Sequence, residues 1–170
     1  YPVIINIGRL TEQKGQEYLI RAFKQVKNNI QRTSLCILGE GELESDLKDL
    51  VKKLGLEKDV FFLGWQKNPF KFLSRAKVFV LSSLWEGLPN TLIEALACGC
   101  PAISTDCPSG PNEIIENGKN GILVPVKDEK ALAQAIIKIL ANSSFAQEIA
   151  RNGRKRAEGF SLKNIINQYE

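Results

Sequence analysis

Six short, largely apolar runs, broken only by Asn6 and Ser104 and each followed by a turn or by a segment with helical spacing, limit the fold of this 170-residue chain more than any other feature. The runs lie at residues 3–7, 35–38, 60–63, 78–81, 102–104 and 122–124. Strands this apolar must be buried on both faces, as in a parallel sheet covered by helices. Between the runs, Leu19, Ala22, Phe23 and Val26 recur at helical spacing, as do Leu43, Leu47, Leu50, Val51 and Leu54, and later Leu132, Ala135, Ile136, Ile139 and Leu140. Helices are expected over 16–28, 43–54, 69–74, 129–141 and 144–157. Another is expected over 90–98, with Asn90 as its cap and Gly99 as its stop. The expected fold is an α/β, Rossmann-like, three-layer domain. In such sheets ligands bind beyond the carboxyl ends of the strands, which here are Gly8, Gly39, Gly64 and Ser82-Ser83.

Composition narrows the class. The apolar fraction of 44% and charged fraction of 25% suit an ordinary soluble domain. No apolar run approaches the roughly 18 to 20 residues of a membrane span. The chain starts at Tyr1-Pro2, contains no Met and runs at once into a strand, as expected of a piece cut from a longer polypeptide. Cys36, Cys98, Cys100 and Cys107 are read as reduced thiols of a cytosolic protein. The Cys98-x-Cys100 pair has no His and no second close Cys pair to complete a zinc site. A net charge of +4 spread over helices, without interleaved aromatics, argues against a nucleic-acid surface.

Three loops carry candidate chemistry. Gly8-Arg9-Leu10 followed by Lys14-Gly15 closes the first strand and opens a helix. Arg9 as a planar fork and Lys14 as a point charge suit a diphosphate, and Gly8 lets the backbone approach it. A solvated loop that happens to carry two cations is the other reading of this segment. The second loop is Glu86-Gly87-Leu88-Pro89-Asn90-Thr91-Leu92-Ile93-Glu94. Residues 87–92 would offer free N–H groups at a helix N-terminus, apart from Pro89, which has none. Glu94 could accept hydrogen bonds from a ribose diol, and Glu86 from sugar hydroxyls. Both acids could instead complement the helix dipole, a reading that suits Glu94 better than Glu86. The third loop, Gly39-x-Gly41-x-x-Glu44, is a poor dinucleotide fingerprint, because Glu44 replaces the third glycine.

Taken together these motifs resemble the C-terminal domain of the GT4 family of glycosyltransferases. The resemblance rests on Gly8 to Gly15, on Glu86 and Glu94 as an E-x7-E pair, on Gly39-Glu40-Gly41, and on Phe62-Leu63-Gly64. It continues through Pro111-x-Glu113-Ile114, Asn120-Gly121-Ile122-Leu123-Val124 and Phe160-Ser161, and so covers nearly the whole chain. It implies the C-terminal half of a GT-B fold, with the nucleotide-sugar domain over 1–159. Residues 160–170 would begin a helix crossing back to an N-terminal acceptor domain that this piece lacks. It implies retaining transfer of a hexose or N-acetylhexosamine from a nucleoside-diphosphate sugar, UDP-linked, to a glycan or lipid-linked acceptor in polysaccharide biosynthesis. No cofactor or metal is implied. Arg9 and Lys14 would hold the diphosphate and stabilise its growing charge, Glu86 would meet the donor sugar, and Glu94 the ribose. Gly8, Gly64, Trp65, Gln66, Gly87, Leu88, Asn90, Thr91 and Leu92 would complete the donor site, although Trp65 could equally be a packing residue. The full enzyme would be cytoplasmic, with peripheral association at the inner membrane. A nucleotide-sugar sensor without transfer activity is the competing class; intact Arg9, Lys14, Glu86 and Glu94 favour the enzyme. A GT-B phosphorylase ranks low, as no lysine environment suggests a pyridoxal cofactor.

Overall fold

The computed structural model describes residues 1–160. The strands β1 (Val3–Ile7), β2 (Ser34–Leu38), β3 (Val60–Phe62), β4 (Val78–Leu81), β5 (Ala102–Thr105) and β6 (Ile122–Val124) form one sheet in the order β3-β2-β1-β4-β5-β6. Every pairing in it is parallel. The helices are α1 (Gln16–Asn29), α2 (Glu44–Lys53), α3 (Phe70–Leu73), α4 (Asn90–Ala97), α5 (Pro111–Ile114), α6 (Glu129–Ala141) and α7 (Ser143–Glu158). The chain is thus the three-layer α/β domain that its apolar runs require.

Alternate strand residues feed two cores, as the two-residue period of a strand dictates. On one face Ile4, Leu35, Val78 and Val80 pack with Leu19, Phe23, Leu47 and Ile136 of α1, α2 and α6. On the other, Ile5, Phe79, Leu81 and Ala102 pack with Leu92, Leu96 and Ala157 of α4 and α7. All four residues of β4 are buried, which explains why that strand reads as unbroken apolar sequence. Side chains fix two helix starts: Asp128 accepts from the Ala131 N–H at 2.8 Å and Asn142 from the Phe145 N–H at 3.0 Å.

Two local expectations need correction. Pro89, not Asn90, occupies the cap position of α4, and no side chain caps that end. Asn90 is already helical, because the proline before it, at φ −78°, supplies the entry angle. The short helix α5 was not expected. No helix among the described residues is long and apolar enough to cross a membrane. The crossover helix expected over 160–170 lies, from residue 161 on, outside the described residues.

The sheet order reverses direction between β1 and β4. β1 pairs with β2 along its whole length, from Val3 with Ser34 to Ile7 with Leu38. With β4 it pairs only at Ile4–Val78 and Ile5–Phe79. Beyond Ile5 no further ladder pair joins the two strands, and the helices that follow them, α1 and α4, pack on opposite faces of the sheet. This is the switch point at which open α/β sheets form their ligand crevice.

Candidate functional site

The loops after β1, β2 and β3 are laced edge to edge. Gly8 N–H donates to the Leu38 carbonyl and Leu10 N–H to the Glu40 carbonyl, each at 3.0 Å; Gly39 N–H donates to the Gly64 carbonyl at 2.8 Å. The seam requires glycine. A Cβ on Gly39, whose φ is +138°, would collide with the Gly8 carbonyl oxygen, and one on Gly41 with that of Leu10. The G-x-G segment after β2 therefore serves close backbone approach between two loops.

The loop after β4 is tied to the same β1 loop from the other side. Leu84 N–H donates to the Gln13 carbonyl at 2.8 Å, Gln13 Nε2 to the Trp85 carbonyl at 3.1 Å, and Ser82 Oγ to the Lys14 carbonyl at 2.9 Å. At the centre Lys14 Nζ meets Glu86 Oε1 at 2.6 Å, and Ser83 Oγ donates to the same oxygen at 2.6 Å. Glu86 is only 6% exposed in its side chain and Lys14 19%. Lys14 extends its stem over Gly8, where a Cβ would lie 3.4 Å from Cδ of the lysine. Thr105 Oγ1 donates to the Ser83 carbonyl, extending the support to the end of β5.

Against this frame lies a cleft of about 520 Å³. Gly8, Arg9, Trp65, Gln66, Thr91 and Glu94 all line it, as does Glu40. Arg9 is exposed, and its guanidinium makes no ion pair or hydrogen bond with the described residues. Trp65 is 69% exposed at the rim, and its backbone N–H donates to Glu40 Oε1 at 3.3 Å. Gln66 folds back, donating from Nε2 to the Leu63 carbonyl at 2.6 Å. Gly64, at φ +64°, turns the chain behind Trp65. Burial raises the Glu94 carboxyl above its ordinary 4.5.

The residues expected at the donor site thus gather at one edge of the sheet, with differences in detail. Lys14, Glu86, Gly87, Leu88, Asn90 and Leu92 lie outside the cleft lining, Asn90 as the first residue of α4, and Leu88 is 52% exposed. Leu92 offers no free donor: its N–H is bonded to the Pro89 carbonyl at 3.0 Å and its side chain is fully buried. The N–H groups of Gly87, Leu88, Asn90 and Thr91 carry no hydrogen bond among the described residues. The sequence reading missed Glu40 and Ser83. Glu40 sits between two glycines in a strand-end loop and Ser83 just beyond the end of β4, and both places were usable signals. The four cysteines are unpaired thiols, and burial, then Cys98, pushes Cys100 up to about 12, so it packs as a small neutral side chain.

The chain matches the family described as glycosyl transferases group 1 over residues 1–156. It is 44% identical to a glycosyltransferase of Methanocaldococcus jannaschii over 99% of this chain and 48% of that protein. It is 36% identical to an N-acetylgalactosaminyltransferase of Campylobacter jejuni that acts on a diphospho-undecaprenol-linked sugar, over 95% of this chain and 44% of that one. This chain therefore spans about half the length of these curated relatives. Among solved structures, Staphylococcus aureus TarM, in complex with fondaparinux, α-GlcNAc-glycerol and UDP, superposes at a TM-score of 0.93 with 27% identity, covering 98% of this chain and 34% of TarM. The C-terminal domain of LpcC from Francisella tularensis, solved by itself, matches at 0.85 with 26% identity, covering 95% of this chain and 87% of that domain. With its fold, its crevice and these matches in agreement, the chain belongs to the group 1 glycosyl transferases.

Proposed function

We propose that this chain is the donor-binding half of a retaining glycosyltransferase that takes a UDP-sugar and transfers a hexose or N-acetylhexosamine. The observation that carries this reading is the convergence of Arg9, Trp65, Gln66, Thr91 and Glu94 on one crevice beside the Lys14–Glu86 pair. The base would lie against Gly64, Trp65 and Gln66, the ribose on Glu94, the diphosphate between Arg9, Lys14 and the unbonded N–H groups at the start of α4, and the sugar on Glu86. As the anomeric C–O bond breaks, its electron pair passes to the β-phosphate oxygen. Charge grows there, and Arg9 and Lys14 stabilise it where it develops. UDP as the carrier is supported by similar structures of TarM and of Anabaena HepE, both solved with UDP, and HepE also with UDP-glucose. A lipid-linked acceptor is supported by the undecaprenol-linked acceptor of the Campylobacter relative. In this reading the acceptor binds the enzyme's N-terminal half, and transfer takes place at the cytoplasmic face of the membrane.

Calorimetry on four variants with three ligands tests the assignment. Arg9→Ala and Lys14→Ala should each weaken UDP by about 1 to 3 kcal/mol, the range for hydrogen bonds to charged groups, and leave uridine nearly unchanged. Glu94→Gln should weaken both. Glu86→Gln should weaken the intact UDP-sugar alone. Equal losses for every ligand, or none in the two cation variants, would overturn the site.

A further inference from the structure

Where the β1–β4 ladder ends, a buried side chain takes over. Asn6 is 1% exposed, and its Nδ2 donates to the Val80 carbonyl of β4 at 2.8 Å. Its Oδ1 accepts from Gln16 Nε2 at 3.5 Å, and the same Nε2 donates to the Arg9 carbonyl at 2.9 Å. A path of side-chain hydrogen bonds therefore runs from the β4 backbone through Asn6 and Gln16 to the backbone of Arg9.

Gln16 is an unusual choice for this place. It is 1% exposed at the first position of α1, and its Oε1 is buried without a hydrogen-bond partner among the described residues. An unmade buried acceptor opposes folding. Turning the amide over would only set Oε1 against the Arg9 carbonyl oxygen. A methionine would fill the same volume with no orphaned oxygen of its own. What the glutamine provides is its N–H2 group, and the closest acceptor of that group is the carbonyl of Arg9. The neighbours of Arg9 are held by backbone bonds, Gly8 to Leu38 and Leu10 to Glu40, whereas the Arg9 carbonyl receives only the Gln16 amide among the described residues. Its guanidinium reaches freely into the cleft, so the position of that backbone decides where the charge starts from.

We propose that Asn6 and Gln16 are positioning residues that fix the Arg9 backbone and, through it, the place of the guanidinium on the donor diphosphate. The inference rests on the donor-site reading above. Small displacements of a positioned charge are costly where a ligand must be met at contact distance.

The test compares UDP with uridine, by calorimetry, on the unaltered chain and on Gln16→Met and Asn6→Val, with unliganded thermal unfolding measured alongside. Gln16→Met should lose roughly 5- to 20-fold in UDP affinity while uridine stays within about twofold. Asn6→Val should shift the UDP-to-uridine ratio in the same direction but less, because Gln16 still holds the Arg9 carbonyl. A merely structural role would lower the unfolding temperature and weaken both ligands alike or neither, and that result overturns the proposal. If Gln16→Met does not fold, Asn6→Val reads the same ratio. An unaltered chain that binds uridine no more weakly than UDP would sink the donor-site reading together with this one. Normal UDP preference with an unmoved ratio in the variants sinks the positioning roles alone.

Discussion

Glu86 and Glu94 are both carboxylates near the start of α4, yet their surroundings divide them. Glu86 is met by Lys14 Nζ and Ser83 Oγ on one oxygen. Glu94 has burial without a cationic partner among the described residues, and its carboxyl is raised accordingly. For folding, the sign is that of a penalty. Ionising Glu94 costs more in the fold than in the unfolded chain, so its burial is tolerated without loss below the ordinary 4.5, and stability is lost as pH rises through the raised value. For ligand binding in the proposed ribose role the sign reverses, because a diol needs the carboxylate as acceptor. Uridine, which carries no phosphate to titrate, should bind less tightly as pH falls through the raised value. In Glu94→Gln its affinity should be weaker and flat over the same range. A calorimetric pH series that slopes equally in both proteins would remove Glu94 from the ribose site.

At the scale of elements, the site is a set of loops held in register by glycine contacts, and one such contact comes from far along the chain. Gly110, just before α5, has φ +76°, and a Cβ there would collide with the Gly87 carbonyl oxygen and lie 2.8 Å from Pro89 Cδ. Gly118 has a similar φ of +80° but open space where its Cβ would be. Gly118→Ala should therefore cost only the backbone penalty, roughly 1 to 2 kcal/mol, and leave UDP binding intact. Gly110→Ala adds about 1 to 3 kcal/mol of overpacking and pushes the Glu86–Pro89 loop outward, so UDP-sugar affinity should fall as well. Denaturant melts and calorimetry on the pair check this; equal behaviour would show that α5 does not hold the loop. The comparison also marks what was legible in the sequence. The strands were, because burial on both faces leaves an apolar run in β4 and a nearly apolar one in β5, while the outer β3 is apolar although Phe61 is 44% exposed. The meeting of the loops that carry Arg9, Lys14 and Glu86 with the start of α4 was too, because in a parallel sheet the loops at the carboxyl ends of the strands share one side. The cap of α4 was misread, since Asn90 has capping chemistry but Pro89 has the geometry. Helix α5 is too short to show a period. Glu40 and Ser83 were marked by their strand-end places, but their partners, the Trp65 backbone and Glu86, come only from the folded loops.

For the molecule as a whole, every loop that builds the crevice leaves the same edge of the sheet, and the opposite edge carries none of the site residues. The chain's net charge of +4 is not concentrated at the crevice. There, Arg9 stands with two carboxylates, Glu40 and Glu94, on the lining, and Lys14 beside it is already matched to Glu86. An approaching diphosphate is thus offered contacts at short range and little attraction from afar. Its association rate should change less than about threefold between ~0.05 and ~0.5 M salt, since steering needs an uncompensated field. Glu86→Gln, which frees Lys14, should make the rate steeper in salt; stopped-flow mixing with a fluorescent UDP analogue reads both slopes. A steep slope in the unaltered chain would mean that the cations act well beyond the pair. An internally compensated crevice admits anionic metabolites at much the same rate, so in the proposed donor role any choice among them has to be expressed in residence time.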